Sequence, residues 1–228
     1  MHSISVSDVH KRYASPVGWV RALRGVSFRL VAGALGCVVG PSGSGKSTLL
    51  GIVGGLDAPT TGEVHVGAFA LHRMSAAQRA RFRATRIGFV FQSNNLVPVL
   101  TAEENIGLPL ALEALTRAER DRRVTALLDE LGLREVADHR PGELSGGQEQ
   151  RVGIARALVT HPLLVLADEP TAHLDSRTGS EVMDVLRSTN RVRRTTFLVS
   201  THDPDVESLA DERISLRDGA CATRRCGP

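Results

Sequence analysis

Short apolar runs alternate with amphipathic segments along the chain, and this alternation predicts the fold. Four short, bounded runs have the apolar character of strands that are buried on both faces. They are Ala34–Val39, Ile87–Phe91, Leu163–Ala167 and Thr196–Ser200. Because strands that alternate with helices form parallel sheets, the pattern predicts an α/β fold with a mainly parallel sheet.

The amphipathic segments predict helices. Thr116 and Glu119 have the spacing of a capping box, and an apolar stripe at i, i+3, i+4 and i+7 follows them. A second stripe follows Gly179 and is expected to end near Asn190, before an arginine-rich turn at 191–194. The two stripes consist of Val124, Leu127, Leu128 and Leu131, and of Val182, Val185 and Leu186.

Two regions depart from this alternation. Residues 1–30 and 62–71 contain patterns of edge or antiparallel strands, whereas residues 93–160 are largely helical. We therefore expect one domain over residues 1–228, consisting of a core with two appended subdomains. The expected bounds are about 1–92 and 161–228 for the core with its β subdomain, and about 93–160 for the helical subdomain.

Composition excludes several classes of protein. The 28 basic and 25 acidic residues leave a net charge of +3, and the basic residues are spread among acids, so no nucleic-acid partner is expected. The longest apolar stretches have about five residues, against the about 20 that a membrane span needs. The amino terminus lacks the pattern of a secretory signal, which favours the cytosol. Cys37 falls in an apolar strand, and Cys221 and Cys226 are expected in a frayed, reduced tail rather than in a metal site or disulfide.

A glycine-rich loop indicates a phosphate site. Residues Gly40–Ser47 fit the pattern GxxxxGK[ST], directly after a predicted strand and at the start of a predicted helix. The backbone N–H groups of such a loop and the positive end of the helix attract a triphosphate. Lys46 can reach the β- and γ-phosphates, and the Ser47 hydroxyl is placed to bind Mg²⁺. The alternative is a glycine-rich turn with an exposed lysine.

Two acids follow the buried run Leu163–Ala167. Asp168 and Glu169 are therefore expected at the carboxyl edge of the sheet, where α/β proteins bind ligands. Asp168 would hold Mg²⁺ through a water molecule, and Glu169 would polarise the attacking water. The alternative is that either acid caps the next segment, Pro170–Asp175.

A third motif, Leu144–Gln148, precedes a helix predicted from about residue 148 to 160. Ser145 and Gln148 have capping-box spacing, and a serine hydroxyl with glycine amides at a helix start forms a second anion site. Two such sites in one chain suggest a ligand shared between two copies. Taken alone the motif is weak, since many helices begin after Ser-Gly without binding phosphate.

Together these residues resemble the ATP-binding cassette (ABC) ATPases, the nucleotide-binding subunits of ABC transporters, over nearly the whole chain. The resemblance implies a P-loop NTPase (RecA-like) core with an antiparallel β subdomain and an α-helical subdomain, and ATP and Mg²⁺ as cofactors. The residues implied to bind ATP within one copy are Tyr13, Gly40, Pro41, Ser42, Gly43, Ser44, Gly45, Lys46, Ser47, Thr48, Gln92, Asp168, Glu169 and His202.

The resemblance also assigns further roles. It implies catalysis by Glu169, His202, Gln92 and Lys46, and Mg²⁺ binding by Ser47, Gln92 and Asp168. In a head-to-tail homodimer, the second copy would bind ATP through Leu144, Ser145, Gly146, Gly147 and Gln148. The D-loop would consist of Ala172, His173, Leu174 and Asp175.

Three of these residues also have a physical role. Gln92 is expected to end a strand beside the phosphate loop and to link the ligand to the helical subdomain. His202 is expected to end the strand next to that of Glu169 and to hydrogen-bond the γ-phosphate; otherwise it is a polar cap. Tyr13 would stack on adenine; otherwise it packs against the edge sheet.

The segments Arg86–Gln92, Asn95–Pro98 and Thr101–Ile106 look like the branch that serves lipoprotein release, macrolide export and cell-division permeases. The resemblance therefore implies an ATPase on the cytoplasmic face of the membrane, docked onto a permease on a separate chain through the region 93–115. His173 departs from the branch, where asparagine or a small residue is more common. Glu149 and Ala34 depart as well, but none of the three removes a phosphate ligand.

Other functions stay open at this point. A regulatory cassette could control an envelope enzyme through ATP-dependent dimerisation without transporting a substrate. A cassette that acts on ribosomes or DNA would contain two cassettes or a long coiled-coil insertion, and this chain has neither pattern. A P-loop kinase would leave Leu144–Gln148 and His202 without a purpose.

Overall fold

The structure is a computed structural model that describes residues 2–16, 18–172 and 174–226. Its strands form one sheet of six and one of four. The strands are β1 (His2–Ser15), β2 (Gly18–Val31), β3 (Leu35–Val39), β4 (Thr61–Val66), β5 (Phe69–Ala70), β6 (Ile87–Val90), β7 (Leu164–Asp168), β8 (Thr196–Thr201), β9 (Glu212–Arg217) and β10 (Ala220–Cys226).

Seven α-helices connect these strands in the described part of the chain. They are α1 (Lys46–Val53), α2 (Ala76–Arg86), α3 (Ala102–Gly107), α4 (Arg117–Glu130), α5 (Gly146–Leu158), α6 (Ser176–Arg193) and α7 (Pro204–Ser208). Short 3-10 turns lie at Leu71–Arg73, Leu108–Leu112, Arg134–Val136 and Pro141–Glu143. None of the described helices combines the length and apolar character that a membrane crossing requires.

The six-stranded sheet has the order β10-β9-β3-β8-β7-β6. The strands from β9 to β6 are parallel, and β10 is antiparallel to β9. Every residue of β3 and β8 is buried, as expected for parallel strands that helices cover on both faces. The predicted mainly parallel sheet is confirmed. Within β3, burial raises the pKa of the Cys37 thiol to about 12, so this cysteine stays protonated and packs as an apolar core residue.

The four-stranded sheet is antiparallel, with the order β2-β1-β4-β5. One face of this sheet is buried and apolar. It carries Ile4, Val6 and Val9 of β1 and Val64 and Val66 of β4. These residues join one apolar core with the side chains of α1 and the adjoining face of the six-stranded sheet. The predicted antiparallel strands are confirmed, although the β1–β2 hairpin is longer than the pattern indicated.

Residues 93–160 contain α3, α4 and α5 and no strand, as predicted. A second apolar core joins these helices to α6 and the other face of the parallel sheet. The stripe on α4 lies in that core through Val124, Leu127 and Leu128. The helices of the predicted helical region therefore pack directly on the parallel sheet.

Several local predictions were wrong. Thr116 accepts a hydrogen bond from the N–H of Glu119, but the Glu119 carboxylate pairs with Arg122 and Arg123 instead of completing the capping box. Helix α6 continues to Arg193, so the arginine-rich segment is largely its last turn and not a separate turn. The tail that was expected to fray forms strand β10, paired with β9.

Candidate functional site

The glycine-rich loop lies between β3 and α1. Gly40 and Gly45 have φ angles of 158° and 102°. A Cβ atom on Gly40 would lie 2.2 Å from the carbonyl oxygen of Leu216, and one on Gly45 would lie 2.7 Å from that of Ala22. Glycine is therefore required at both positions, because the loop runs against the backbones of β9 and β2.

Ser44 shows how the loop fits an anion. Its N–H donates to the carbonyl oxygen of Pro41, closing a turn. Its hydroxyl is buried, and no described group hydrogen-bonds to it. An unpaired buried hydroxyl is costly, and a phosphate oxygen would satisfy it. The residues present therefore fit a bound phosphate group.

Lys46 is the first residue of α1 and is only 6% exposed. Its Nζ donates to the carbonyl oxygens of Gly40 and Pro41, at 2.9 and 3.2 Å. The same Nζ lies 3.7 Å from Oε1 of Glu169. The ammonium group is thus held inside the loop, which rules out the alternative of an exposed lysine in a simple turn.

Asp168 ends β7 beside the phosphate loop. Its Oδ1 accepts a hydrogen bond from the Ser47 hydroxyl at 3.3 Å and another from the Ser200 hydroxyl. The pairing of β7 with β8 places Asp168 opposite Ser200. A hydroxyl next to a carboxylate supplies the oxygen ligands that Mg²⁺ prefers, so these residues fit that ion. Sequence reasoning did not identify Ser200 as a partner of Asp168.

Glu169 adopts a left-handed backbone conformation, with φ at 47°. Its N–H bonds to the carbonyl oxygen of Ser200 at 3.0 Å, which holds this conformation. Its carboxylate is 23% exposed and lies 3.4 Å from Nδ1 of His202, the residue after β8. The alternative was that either acid caps the segment Pro170–Asp175. The carboxylate contacts described for Asp168 and Glu169 are instead with Ser47, Ser200, Lys46 and His202.

Gln92 lies two residues beyond β6 and is exposed. Strand β6 is at the edge of the sheet, and β7 and β8 separate it from β3. Gln92 was expected to end a strand, but β6 ends two residues earlier, at Val90. Phe91 nevertheless lines one small cavity together with Ser47 and Asp168, so the segment after β6 reaches the start of α1.

Tyr13 lies near the tip of the β1–β2 hairpin and is 40% exposed. Its hydroxyl donates to Oδ2 of Asp57 at 2.9 Å, and Lys11 donates to Oδ1 at 2.7 Å. Burial and Asp57 raise the pKa of the Tyr13 phenol, so it stays protonated as a donor at neutral pH. Burial acts to raise the pKa of Asp57, but hydrogen bonds from Lys11, Ala58 N–H and Tyr13 lower it overall. Sequence reasoning missed this anchor because 44 residues separate Tyr13 from Asp57.

The motif Leu144–Gln148 forms the start of α5. Ser145 accepts a hydrogen bond from the N–H of Gln148 and donates its own N–H to the Gln148 side chain, so the predicted capping box is confirmed. Ser145 and Gly146 lie at the surface. A Cβ atom on Gly147 would lie 2.6 Å from Thr178 Cγ2, so the motif packs closely on the start of α6.

The segment proposed as the D-loop leads from β7 to α6. Ala172 donates its N–H to the carbonyl oxygen of Glu169, and Asp175 caps α6 by accepting from the N–H groups of Arg177 and Thr178. Hydrogen bonds from Thr178 and Arg177 lower the pKa of Asp175. His173, one of the three departures from the pattern of the branch, lies outside the described residues.

The fold and the site together define a P-loop nucleotide-binding protein with an antiparallel β subdomain and a helical subdomain. The sequence pattern of the ABC transporter family matches residues 23–172. The chain belongs to this family, as an ATP-binding subunit with the ATPase activity that such a domain implies.

Relatives from two bacteria agree with this assignment. The chain is 42% identical over 218 residues to the ABC transporter ATP-binding protein YtrE of Bacillus subtilis, covering 96% of this chain and 92% of that protein. It is 46% identical over 212 residues to an uncharacterised ABC transporter ATP-binding protein of Thermotoga maritima, covering 93% and 90%.

Solved structures share the fold. The ATP-binding cassette MJ0796, determined as a dimer in a post-hydrolysis state bound to ADP and Pi, is 40% identical and covers 98% of both chains, with a TM-score of 0.88. The cbiO1 protein of Clostridium perfringens, part of the ABC transporter complex cbiONQ, is 27% identical and has a TM-score of 0.88. The match covers 98% of this chain and 88% of cbiO1.

Proposed function

We propose that two copies of this chain dimerise head to tail on ATP, hydrolyse it, and drive a conformational change in a separate membrane permease. One observation carries the proposal: Lys46, Glu169 and His202 converge on one phosphate site, while Ser145 presents a helix start at the surface. The dimeric form of MJ0796, bound to ADP and Pi, supports it.

Lys46 is proposed to bind the β- and γ-phosphates. Its ammonium group already lies among the loop carbonyls of Gly40 and Pro41, and burial strengthens its attraction for a phosphate. The N–H groups of residues 42–48 and the amino-terminal end of α1 add further positive potential. These groups together would bind the phosphate.

Ser47, Asp168 and Gln92 are proposed to hold Mg²⁺, which would neutralise phosphate charge when bound. The Ser47 hydroxyl and the Asp168 carboxylate already face each other at 3.3 Å. Ser200 donates to the same carboxylate and fixes its orientation. Gln92 follows the segment that reaches the start of α1, and from there it connects the site to the helical region 93–160.

Glu169 is proposed as the general base that polarises the attacking water. Its backbone is fixed by Ser200, and its carboxylate is directed at the same space as Lys46 and His202. His202 is 66% exposed, so its ring is available to hydrogen-bond the γ-phosphate. A positioned base of this kind contributes about 10²–10⁴-fold to the rate.

Ser145 is proposed to contact the γ-phosphate of the partner copy. Its hydroxyl oxygen accepts the Gln148 N–H, which leaves the hydroxyl proton to donate to a phosphate oxygen. The free N–H groups that a helix start presents add donors. Each ATP would then lie between the phosphate loop of one copy and residues 144–148 of the other, and loss of the γ-phosphate would release the dimer.

The permease is proposed to dock where the parallel sheet meets the helical region. A groove there is lined by Phe89 and Phe91 of the β6 segment, Leu112, and Arg156 of α5. Leu112 is 72% exposed, and a hydrophobic residue so exposed beside aromatic side chains fits an apolar partner. Membership of cbiO1 in a transporter complex supports such a partner.

From the branch resemblance we propose export, lipoprotein release or mechanotransmission as the role, at the cytoplasmic face of the membrane. The test is to purify the chain with the membrane protein that it binds and to reconstitute both in vesicles with ATP. ATP-dependent movement of cargo would support transport. Hydrolysis without movement, together with ATP-dependent control of an envelope enzyme, would favour regulation.

A further inference from the structure

A second group of chemically active side chains lies on the four-stranded sheet. Glu63 and His65 are two residues apart on β4, so both side chains point away from the core that buries Val64 and Val66. The turn at Leu71–Arg73 brings His72 against them, with the His65 and His72 ring centroids 5.0 Å apart. The three side chains place ligand atoms within 4.8 Å of one another.

The backbone holds His72 for ligation. Its Nδ1 lies 3.2 Å from both the nitrogen and the oxygen of Val64, so the ring is fixed on the edge of β4. Its Nε2 is buried, and no described group hydrogen-bonds to it. The Val64 N–H donates to Nδ1 in one tautomer of the ring, and Nδ1–H donates to the Val64 oxygen in the other. Metal binding would select the second tautomer, in which the Nε2 lone pair is free to bind a cation. Metal-ligating histidines in proteins are held in this way, by a hydrogen bond from the second ring nitrogen.

We propose that Glu63, His65 and His72 form a binding site for a divalent transition-metal ion, with Zn²⁺ as the best fit. Two imidazoles and one carboxylate are ligands of Zn²⁺, whereas Mg²⁺ and Ca²⁺ select oxygen ligands. Three protein ligands leave one position of a tetrahedron for water. Bound metal would satisfy the buried Nε2 of His72.

The site is separate from the proposed nucleotide site. Its ligands belong to β4 and the turn before α2, whereas Ser47 and Asp168 lie at the carboxyl edge of the six-stranded sheet. The metal would join β4 to the segment that leads into α2. Because it would bind the folded chain and not the unfolded one, it would raise the melting temperature of the protein.

The experiment uses tag-free, nucleotide-free, reduced protein titrated with Co²⁺ and then with Zn²⁺. We expect visible ligand-field bands that saturate at one Co²⁺ per chain, without the near-ultraviolet band of a thiolate ligand, and their loss when Zn²⁺ is added. We expect Zn²⁺ binding to weaken by at least about tenfold in each of the variants Glu63→Gln, His65→Gln and His72→Gln. Loss of a residue that only hydrogen-bonds to a metal ligand already lowers metal affinity by this factor. The exposed His139 lies in the helical region, and His139→Gln is the matched control.

Circular dichroism separates ligand loss from misfolding. Glu63 is exposed, so Glu63→Gln should keep the native spectrum while losing affinity and the Zn²⁺-dependent rise in melting temperature. Equal Zn²⁺ affinity in Glu63→Gln, His65→Gln and wild type would overturn the proposal. A dominant thiolate band would overturn it as well, because it would assign the metal to cysteine.

Discussion

Lys46 and Glu169 face each other across the phosphate loop, with the lysine Nζ 3.7 Å from the glutamate Oε1. The same oxygen lies 3.4 Å from Nδ1 of His202. One carboxylate oxygen is therefore set between two groups that can carry positive charge. A triphosphate adds negative charge to this space, so the charge of Glu169 opposes binding, whereas the role proposed for it is to polarise the water that attacks phosphorus.

Replacing Glu169 by glutamine should separate binding from chemistry. The amide keeps the size of the side chain and removes the negative charge, so ATP affinity should stay the same or rise. Turnover should fall by about 10²–10⁴-fold, because the positioned base is lost. Light scattering of the Glu169→Gln chain with ATP should detect a stable dimer, since the γ-phosphate is retained. Steady-state phosphate release measures turnover.

The matched control for this change is Glu181→Gln, on the exposed face of α6. It should hydrolyse ATP at the wild-type rate. Equal turnover in Glu169→Gln and wild type would exclude Glu169 as the base.

Lys46→Ala should weaken nucleotide binding itself. The ammonium group is buried in the loop, where removing a charge-assisted partner of a phosphate costs about 1.5–3 kcal/mol, or about 10–100-fold in Kd. Calorimetric titration with ATP measures the change. Arg117→Ala, which removes a cation that is 96% exposed on α4, serves as the control. A Kd for Lys46→Ala equal to that of wild type would remove Lys46 from the phosphate site.

Ser145→Asp should block the dimer without weakening the helix. Aspartate caps helices about as well as serine, so α5 should keep its stability. Its charge would lie against the partner's γ-phosphate, and the hydroxyl donor would be lost, so hydrolysis should fall by about 10²-fold. Ser145→Thr keeps both the cap and the hydroxyl and is the control. A loss of ATP affinity in the dilute monomeric Ser145→Asp chain would contradict a site shared between copies.

The core strands could be predicted because burial on both faces gives them a continuous apolar run, as in Leu164–Ala167 of β7 and Phe197–Val199 of β8. Strand β9 lacks that mark: Ile214 and Leu216 are buried, but the residues between and beside them are polar or charged. Its sequence alternates between apolar and polar residues, which is the pattern of a half-buried strand, so a search for continuous apolar runs does not find it. Without β9 as a partner strand, the sequence of β10 indicates a frayed tail. Helix α2 buries only Phe82 and shows no apolar stripe.

Some contacts of the candidate site could likewise be predicted from the sequence, and others could not. The phosphate loop and the acids after β7 are local patterns, so the sequence indicates them. The contact of Ser200 with Asp168 depends on the register between β7 and β8, and the anchor of Tyr13 on Asp57 depends on how the hairpin lies over the end of α1. Likewise, His72 reaches Glu63 and His65 only because the chain turns back after β4. These contacts follow from tertiary structure, which no short pattern encodes.

Asp57 should stabilise the fold above about pH 4. Its pKa is lower in the folded chain than in the unfolded chain, so its stabilising effect is fully present above the unfolded value, about 3.9, and is lost as the pH falls through the folded value. Its side chain is 38% exposed, so solvent screens the pair with Lys11, and Asp57→Asn should cost about 0.5–1 kcal/mol at pH 7.

Urea unfolding of wild type and Asp57→Asn at neutral and acid pH measures this difference. The gap in the free energy of unfolding should narrow below about pH 4, where the wild-type carboxyl becomes protonated. Asp121→Asn, at an exposed position of α4, should show no such gap. A gap for Asp57→Asn that widens as the pH falls would contradict the direction of the pKa shift.

Gly88 provides a test of packing between the parallel sheet and the helical region, and Gly51 of α1 provides a comparison at an unpacked position. A Cβ atom on Gly88 of β6 would lie 2.2 Å from the carbonyl oxygen of Ala157 in α5, and backbone cannot move aside as a flexible side chain would. Gly88→Ala should therefore destabilise the fold by about 1–3 kcal/mol or more. A Cβ atom on Gly51 of α1 would meet no described atom within 4 Å, so Gly51→Ala should stabilise the helix by about 0.5–1 kcal/mol. Opposite shifts in urea midpoint are expected, and a neutral Gly88→Ala would mean that β6 and α5 lie farther apart than the structure places them.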